Sequence, residues 1–207
     1  MEHFDKKAQS WDNDIIKVER AISFAKEIID FINPEKSMNA LEFGSGTGLL
    51  SFQLKDNFNT ITLVDTSEGM IKVLNEKIAI NNIKKFYPIH TNLLEEKIDT
   101  GDFDVVYTSM TLHHIIDLNK ISKIFNSLLK TNGYLCIADL VKEDGSFHPP
   151  SHNFEGHNGF DKEELSSLLV ANGFEILYYN ISYVIEKVVG DSIKKYPLFL
   201  MICKKLH

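Results

Sequence analysis

Apolar residues recur along this chain in two rhythms. Phe4, Ala8 and Trp11 are spaced by four and three, which puts them on one face of a short helix. Ile15, Val18, Ile22, Ala25, Ile28, Ile29 and Ile32 continue at helical spacing. They predict an amphipathic helix over 15–32 that Asn33-Pro34 ends. Short apolar, β-branched runs then alternate with helical stretches. Strands are predicted over 39–43, 60–64 (ending at Asp65), 86–90, 103–107 and 134–140. Between them, helices are predicted from Leu49, over 67–80 behind a Ser67 cap, and over 117–130, closed by Thr131-Asn132-Gly133.

Near residue 140 the rhythm changes. The segment 142–160 is polar and rich in Gly, Pro and His, so a loop is expected there. A helix over 161–171 follows, capped by Asp161 and closed by Asn172-Gly173. Two last strands are expected over 174–184 and 198–203, joined by a polar connection too weak for a long helix. Strands separated by helices require crossover connections and hence a mainly parallel sheet, whereas the last pair, without a helix between, should be antiparallel. The pattern is that of an α/β, Rossmann-like three-layer domain spanning 1–207.

Composition narrows the partners. The chain has 207 residues, 43% apolar and 25% charged, with a formal net charge of −7. That is enough material for one sizeable core. An acidic chain repels phosphate backbones, so nucleic acid is disfavoured and a small neutral or cationic substrate is expected. Cys136 and Cys203 lie in apolar runs and read as free buried thiols. No leader segment and no membrane-length apolar window is visible, so a cytoplasmic protein is expected.

Ligands of an open parallel sheet bind at the carboxyl ends of its strands, where strand order reverses. The predicted ends carry Glu42 with Gly44, Gly46 and Gly48, then Asp65, then Asn92, then Ser109 and Met110. Glycines allow a sharp strand-to-helix turn and close approach of a ligand to the main chain. An acid closing the second strand can accept both hydrogen bonds of a ribose diol. A dinucleotide site prefers Gly-x-Gly-x-x-Gly with pyrophosphate on the helix start. Here the pattern is Gly-x-Gly-x-Gly, Leu49 stands where that glycine is needed, and Glu42 would repel a pyrophosphate while attracting an ammonium or sulfonium.

At these residues the chain resembles a known family. Leu41-Glu42-Phe43-Gly44-Ser45-Gly46-Thr47-Gly48 is similar to the first motif of class I S-adenosylmethionine-dependent methyltransferases, and 64–70 to their second. Phe103-Asp104-Val105-Val106 followed by Leu112-His113-His114 is similar to the fourth-strand motif, and Phe4 to Asp12 to the N-terminal helix of the small-molecule branch. The resemblance implies a seven-stranded, mostly parallel sheet with one antiparallel strand near the C-terminus, and S-adenosylmethionine as donor, leaving S-adenosylhomocysteine. Phe43, Gly44 and Gly46 would line the methionine part; Asp65 would hold the ribose; Thr66 and Leu93 would flank the adenine, with Asn92 on its amino group. Ser109 and Met110 would lie near the transferred methyl, and Trp11 would close over the cofactor from a lid formed by residues 1–32. Glu42, Ser45, Leu49, Ser67 and Met70 complete the expected lining.

The acceptor is less legible. His113 and His114 follow the fourth strand at its ligand end, and are the candidate proton acceptors. His148, His152 and His157 sit in the 142–160 loop with no standard metal-ligand spacing, so no metal is expected. Phe147, Phe154 and Phe160 would be apolar contacts of this substrate-side loop. Asp104 is expected to start the fourth strand away from the site, and Tyr107 and Tyr134 to be strand or core residues. A dinucleotide-dependent oxidoreductase and a non-catalytic cofactor-binding module remain alternatives. The acceptor atom, and the choice between monomer and homodimer, are open.

Overall fold

A computed structural model describes residues 2–98, 102–148 and 154–206. Seven strands form one sheet: β1 (Asn39–Phe43), β2 (Thr60–Asp65), β3 (Phe86–His90), β4 (Phe103–Ser109), β5 (Leu129–Leu140), β6 (Phe174–Val189) and β7 (Ser192–Lys205). Their order is β3-β2-β1-β4-β5-β7-β6. Strands β1 to β5 are parallel, and β7 runs antiparallel between β5 and β6. The order reverses at β1, which pairs with β2 on one side and β4 on the other, so the crevice expected for a ligand opens above Phe43.

Helices cover both faces: α1 (Glu2–Lys7), α2 (Ile15–Ile32), α3 (Leu49–Leu54), α4 (Glu68–Ile80), α5 (Leu118–Leu128) and α6 (Lys162–Ala171). Alternation along the strands divides the core. Ala40, Leu63, Val105 and Tyr107 pack with Phe24 and Ile28 of α2 and Leu54 of α3. Their neighbours Leu41, Val64 and Val106 face the other way, onto Phe125 of α5 and Leu165 of α6. Cys136 and Cys203 are free and buried.

Three local expectations change. The first helix stops at Lys7, and a 3-10 turn (Ala8–Asn13) completes the segment carrying Trp11. Helix α5 ends at Leu128, because Leu129 is already paired beside Phe103 of β4. The last connection is not a polar loop: β6 runs on to Val189, a two-residue turn at Gly190 and Asp191 follows, and β7 begins at Ser192. Cross-strand pairs such as Glu186 and Lys195, 3.2 Å apart, gave this hairpin its polar appearance. Its inward residues Ile185 and Tyr196 are buried all the same. Among the described residues no helix is long and apolar enough to cross a membrane.

Candidate functional site

The glycine loop is folded by its own main chain. Gly44 and Ser45 N–H groups donate to the Val64 carbonyl at 2.8 and 3.0 Å, holding the loop over the end of β2. Gly44 has φ +67°, and a Cβ there would lie 2.2 Å from the Thr111 side chain. Only glycine tolerates both conditions. The Thr111 hydroxyl donates to the Gly44 carbonyl at 3.2 Å, so the turn after β4 clips the loop from the other side. Gly46 differs: a Cβ there would meet only Met70 Sδ at 3.9 Å and Trp11 Nε1 at 4.0 Å. Ser45 Oγ is buried and has no hydrogen-bond partner among the described residues.

Asp65 closes β2 and is tied to both flanking turns. One carboxylate oxygen accepts from Gly46 N–H at 2.7 Å, the other from Ser67 N–H at 2.8 Å. Burial raises its pKa and these amides oppose the rise. Ser67 caps α4, accepting from Met70 N–H at 3.2 Å. The N-terminal segment is fastened here too. Asp5 accepts from Ser67 Oγ at 2.6 Å and Gly69 N–H at 2.9 Å, and Asp12 accepts from Lys77 at 2.5 Å and from Thr47. These bonds bring Trp11 to the mouth of the crevice.

Glu42 is not openly displayed. It is 2% exposed, the Ser51 hydroxyl donates to it, and Ser51 in turn lies 2.6 Å from the Tyr107 hydroxyl. Burial pushes the Glu42 pKa up to about 8, the nearby Asp65 adding to it and the Ser51 bonds opposing. The freely ionised carboxylate expected from sequence is therefore largely protonated near neutral pH. Burial and Glu42 together lift the Tyr107 hydroxyl well above its ordinary range.

One cleft runs over these groups. Its walls include Trp11, Glu42, Phe43, Gly44, Ser45, Gly46, Leu49, Asp65, Thr66, Ser67, Met70, Asn92, Ser109, Met110 and His114. Thus every expected cofactor residue but one meets at a single surface. The exception is Leu93, which turns away and packs in the core with Leu41 and Val64. Asn92 holds its own turn, Oδ1 accepting from Leu94 N–H at 3.1 Å. Asp104 sits at the far end of the sheet, as expected, accepting from Asn39 N–H and Lys130 at 2.8 Å each.

The two histidines separate. His114 lines the cleft, whereas His113 lies behind it, 2% exposed, with Nδ1 2.6 Å from a fully buried Asp139 carboxylate. Asp139 also accepts from the main-chain N–H of His113 and Leu140. Burial, reinforced by His113 and His148, pulls the His114 pKa down to about 3, so its imidazole is neutral. His148 comes from the 142–160 loop to join the pair, and Phe154 stacks on it with ring centres 3.8 Å apart. His157 is tied elsewhere, its Nε2 2.9 Å from the Ile115 carbonyl. His152 falls outside the described residues. Phe147 and Phe160 are buried.

Sequence reasoning missed Lys17 and Arg20, which also line the cleft from α2. Lys17 is paired with Asp14 at 2.6 Å. Arg20 has no hydrogen-bond acceptor among the described residues, and burial draws its pKa to about 10 despite the charges of Asp14 and Asp139. Helical periodicity gave no signal for it. Met110 carries another unread signal: φ is +55°, a conformation rare for a non-glycine residue, at the cleft end of β4.

Comparison with known proteins decides the family. The methyltransferase domain family matches residues 18–179. The chain belongs to the class I methyltransferases. An uncharacterised methyltransferase of Schizosaccharomyces pombe is 34% identical over 148 residues, 65% of this chain and 52% of that protein. Demethylmenaquinone methyltransferase of Listeria monocytogenes is 26% identical over 141 residues, 66% of this chain and 60% of that one. The chain thus spans 52% and 60% of these two relatives. Among solved structures, an S-adenosylmethionine-dependent methyltransferase of Clostridium acetobutylicum superposes with a TM-score of 0.72 at 18% identity, covering 99% of each chain. That last likeness concerns the fold alone.

Proposed function

We propose that the chain transfers a methyl group from S-adenosylmethionine to a small acceptor, with donor and acceptor meeting in the single cleft above β1 and β4. One observation carries this reading. Asp65, Glu42 and Met110 line the same cleft at successive strand ends, in the order a ribose, a cationic methionine group and a transferred methyl would need. The residues fit the donor. Ser45 Oγ is an orphaned polar atom in its path, and Gly46 leaves main chain open beside Trp11. Asp65 would take the ribose hydroxyls, Asn92 and Thr66 the adenine, and Glu42 with Phe43, Gly44 and Ser45 the methionine part. Ser67, Met70, Leu49 and Ser109 would complete the wall. Of residues 1–32, expected as a lid, only the part before α2 would close over the donor, since α2 packs in the core, and the 142–160 loop borders the acceptor.

The sulfonium, when bound, supplies a methyl group already activated for transfer. The chain's own task is then to align a nucleophile and exclude water. His114, with His113 and Asp139 behind it, stands on the acceptor side, where a nucleophile that arrives protonated must lose its proton. Arg20, which has no hydrogen-bond acceptor among the described residues, gives that side a cation despite the acidic whole. An acceptor bearing an anionic or acidic group fits it better than the neutral or cationic one that net charge suggested.

Calorimetric titration of the purified chain with S-adenosylmethionine, S-adenosylhomocysteine and NAD tests the donor. Binding of the first two with NAD silent is the expected result. Binding of NAD alone would make the site a dinucleotide site and sink the proposal.

A further inference from the structure

We propose that His113, His114 and His148 form a zinc-type divalent metal site at the acceptor end of the cleft, with Asp139 as its outer carboxylate. The three residues come from two places in the chain, the 3-10 turn after β4 (Leu112–His114) and the loop after β5. One ring nitrogen from each lies within 4.8 Å of the others. Ring centres are 4.2 Å apart for His113 and His114, 5.2 Å for His113 and His148, and 5.7 Å for His114 and His148. Three imidazoles held at ~2.0 Å around a tetrahedral zinc have ring centres roughly 5 Å apart. Rotation of His114 and His148 toward a fixed His113 would close the set.

The outer partner favours a ligand over a packed histidine. Asp139 is acceptor-only when ionised, so His113 Nδ1 carries the proton and donates to it at 2.6 Å. That tautomer leaves the Nε2 lone pair for a cation. Asp139 is held by two main-chain amides, so the orientation of the ring is fixed from behind. Aromatic rings wall the outside: Phe154 stacks on His148 and lies 5.3 Å from His114, and Phe147 lies 5.1 Å from His148. His114 borders the cleft, so the remaining coordination position faces the acceptor. Three nitrogen donors with one open position suit zinc, and a hard cation such as magnesium would find too few oxygens.

Its use rests on the methyltransferase reading above. An acceptor hydroxyl or thiol bound at the open position would release its proton to solvent. The oxygen or sulfur would then attack the donor methyl carbon, the carbon–sulfonium bond would break, and its electron pair would stay on the departing thioether. No oxidant or further reactant is needed.

The test begins with full-length chain stripped by a chelator and titrated with zinc, and with cobalt(II) as a coloured probe. One equivalent of zinc binding with Kd below about 1 μM, and a cobalt spectrum of tetrahedral intensity, are expected. His148→Ala, on a loop and outside the core, should weaken zinc at least about 100-fold, and Asp139→Asn about 10-fold. S-adenosylhomocysteine affinity, measured on the same samples, reports folding and the donor site. No stoichiometric zinc binding, or equal binding by His148→Ala, overturns the metal site even where the nucleoside still binds. Zinc binding without nucleoside binding overturns the methyltransferase reading and leaves the metal site standing.

Discussion

At the end of the cleft proposed for the donor the contacts are mostly main chain; at the end proposed for the acceptor they are mostly side chains. Gly44, Ser45, Gly46 and Ser67 offer amides already spent on Val64 and Asp65, and these groups are near one another in sequence or on adjacent strands. At the acceptor end Arg20 comes from α2, His114 from the turn after β4, Asp139 from β5 and His148 from a loop. A site built from backbone turns is constrained by the fold itself. A site built from side chains on distant elements can change its chemistry while the fold stays put. The contrast accounts for a donor that is readable and an acceptor that is not.

The strongest way to break that contrast is at Asp65. Asp65→Ala removes the proposed ribose acceptor and also leaves the Gly46 and Ser67 amides without their partner. We expect S-adenosylhomocysteine affinity to fall about 100-fold, equivalent to ~2.7 kcal/mol, by calorimetry. The circular dichroism spectrum should be retained. Asp65→Asn keeps one acceptor oxygen and should lose less. Unchanged affinity in Asp65→Ala would show that the ribose is held elsewhere and that the glycine loop does not organise the donor.

Glu42 sharpens the comparison, since it is a buried side chain in the main-chain half. Its pKa near 8 belongs to the cofactor-free protein. An ammonium or sulfonium beside it favours the ionised form, so a proton leaves on binding. Affinity for S-adenosylmethionine should climb as pH rises toward 8, by up to about tenfold per unit, and level off above it. Folding has the opposite sign. A carboxyl whose folded pKa is raised contributes stability below the ordinary carboxylate range, and that contribution is lost as pH rises toward 8. Glu42→Gln, which can still accept from Ser51, should flatten both profiles. Calorimetry in two buffers of different ionisation enthalpy counts the proton directly; zero release at pH 7 would mean that Glu42 does not change its protonation state on binding and would remove the expected pH dependence.

The same division explains what the sequence could reveal. Strand positions, the Ser67 and Asp161 caps and the sheet's parallel part follow from local periodicity and short-range hydrogen bonds. So does the glycine loop, whose spacing is set by one turn. The final hairpin was hidden because solvent-facing lysines and glutamates diluted its apolar alternation. Leu93 was assigned to the adenine by position in a motif, but which way a side chain turns after β3 is decided by core volume. The histidine cluster was the least visible. His148 lies far along the chain from His113, and only the return of the loop after β5 joins them. Spacing rules find ligands that share an element, and His148 shares none with His113 and His114.

Arg20 gives the smallest expected effect and the clearest separation of the two halves. A half-buried guanidinium without an acceptor costs stability, because its lost hydration is offset by the charges of Asp14 and Asp139 and by Tyr183 without a direct hydrogen bond. Arg20→Met keeps the length and apolar stem that pack beside Ala21 while removing the charge. It should raise stability by about 1 kcal/mol, which for a chain of this size raises Tm by about 2–4 °C. Affinity for S-adenosylhomocysteine should stay within about twofold, since none of the donor contacts involves α2 at this position. If Tm falls instead, Arg20 is a structural counter-charge for Asp139, and the acceptor end has no need of an anionic ligand. If Tm rises and nucleoside affinity holds, the fold carries an unpaired cation at some cost to itself, and its purpose lies with what binds opposite it.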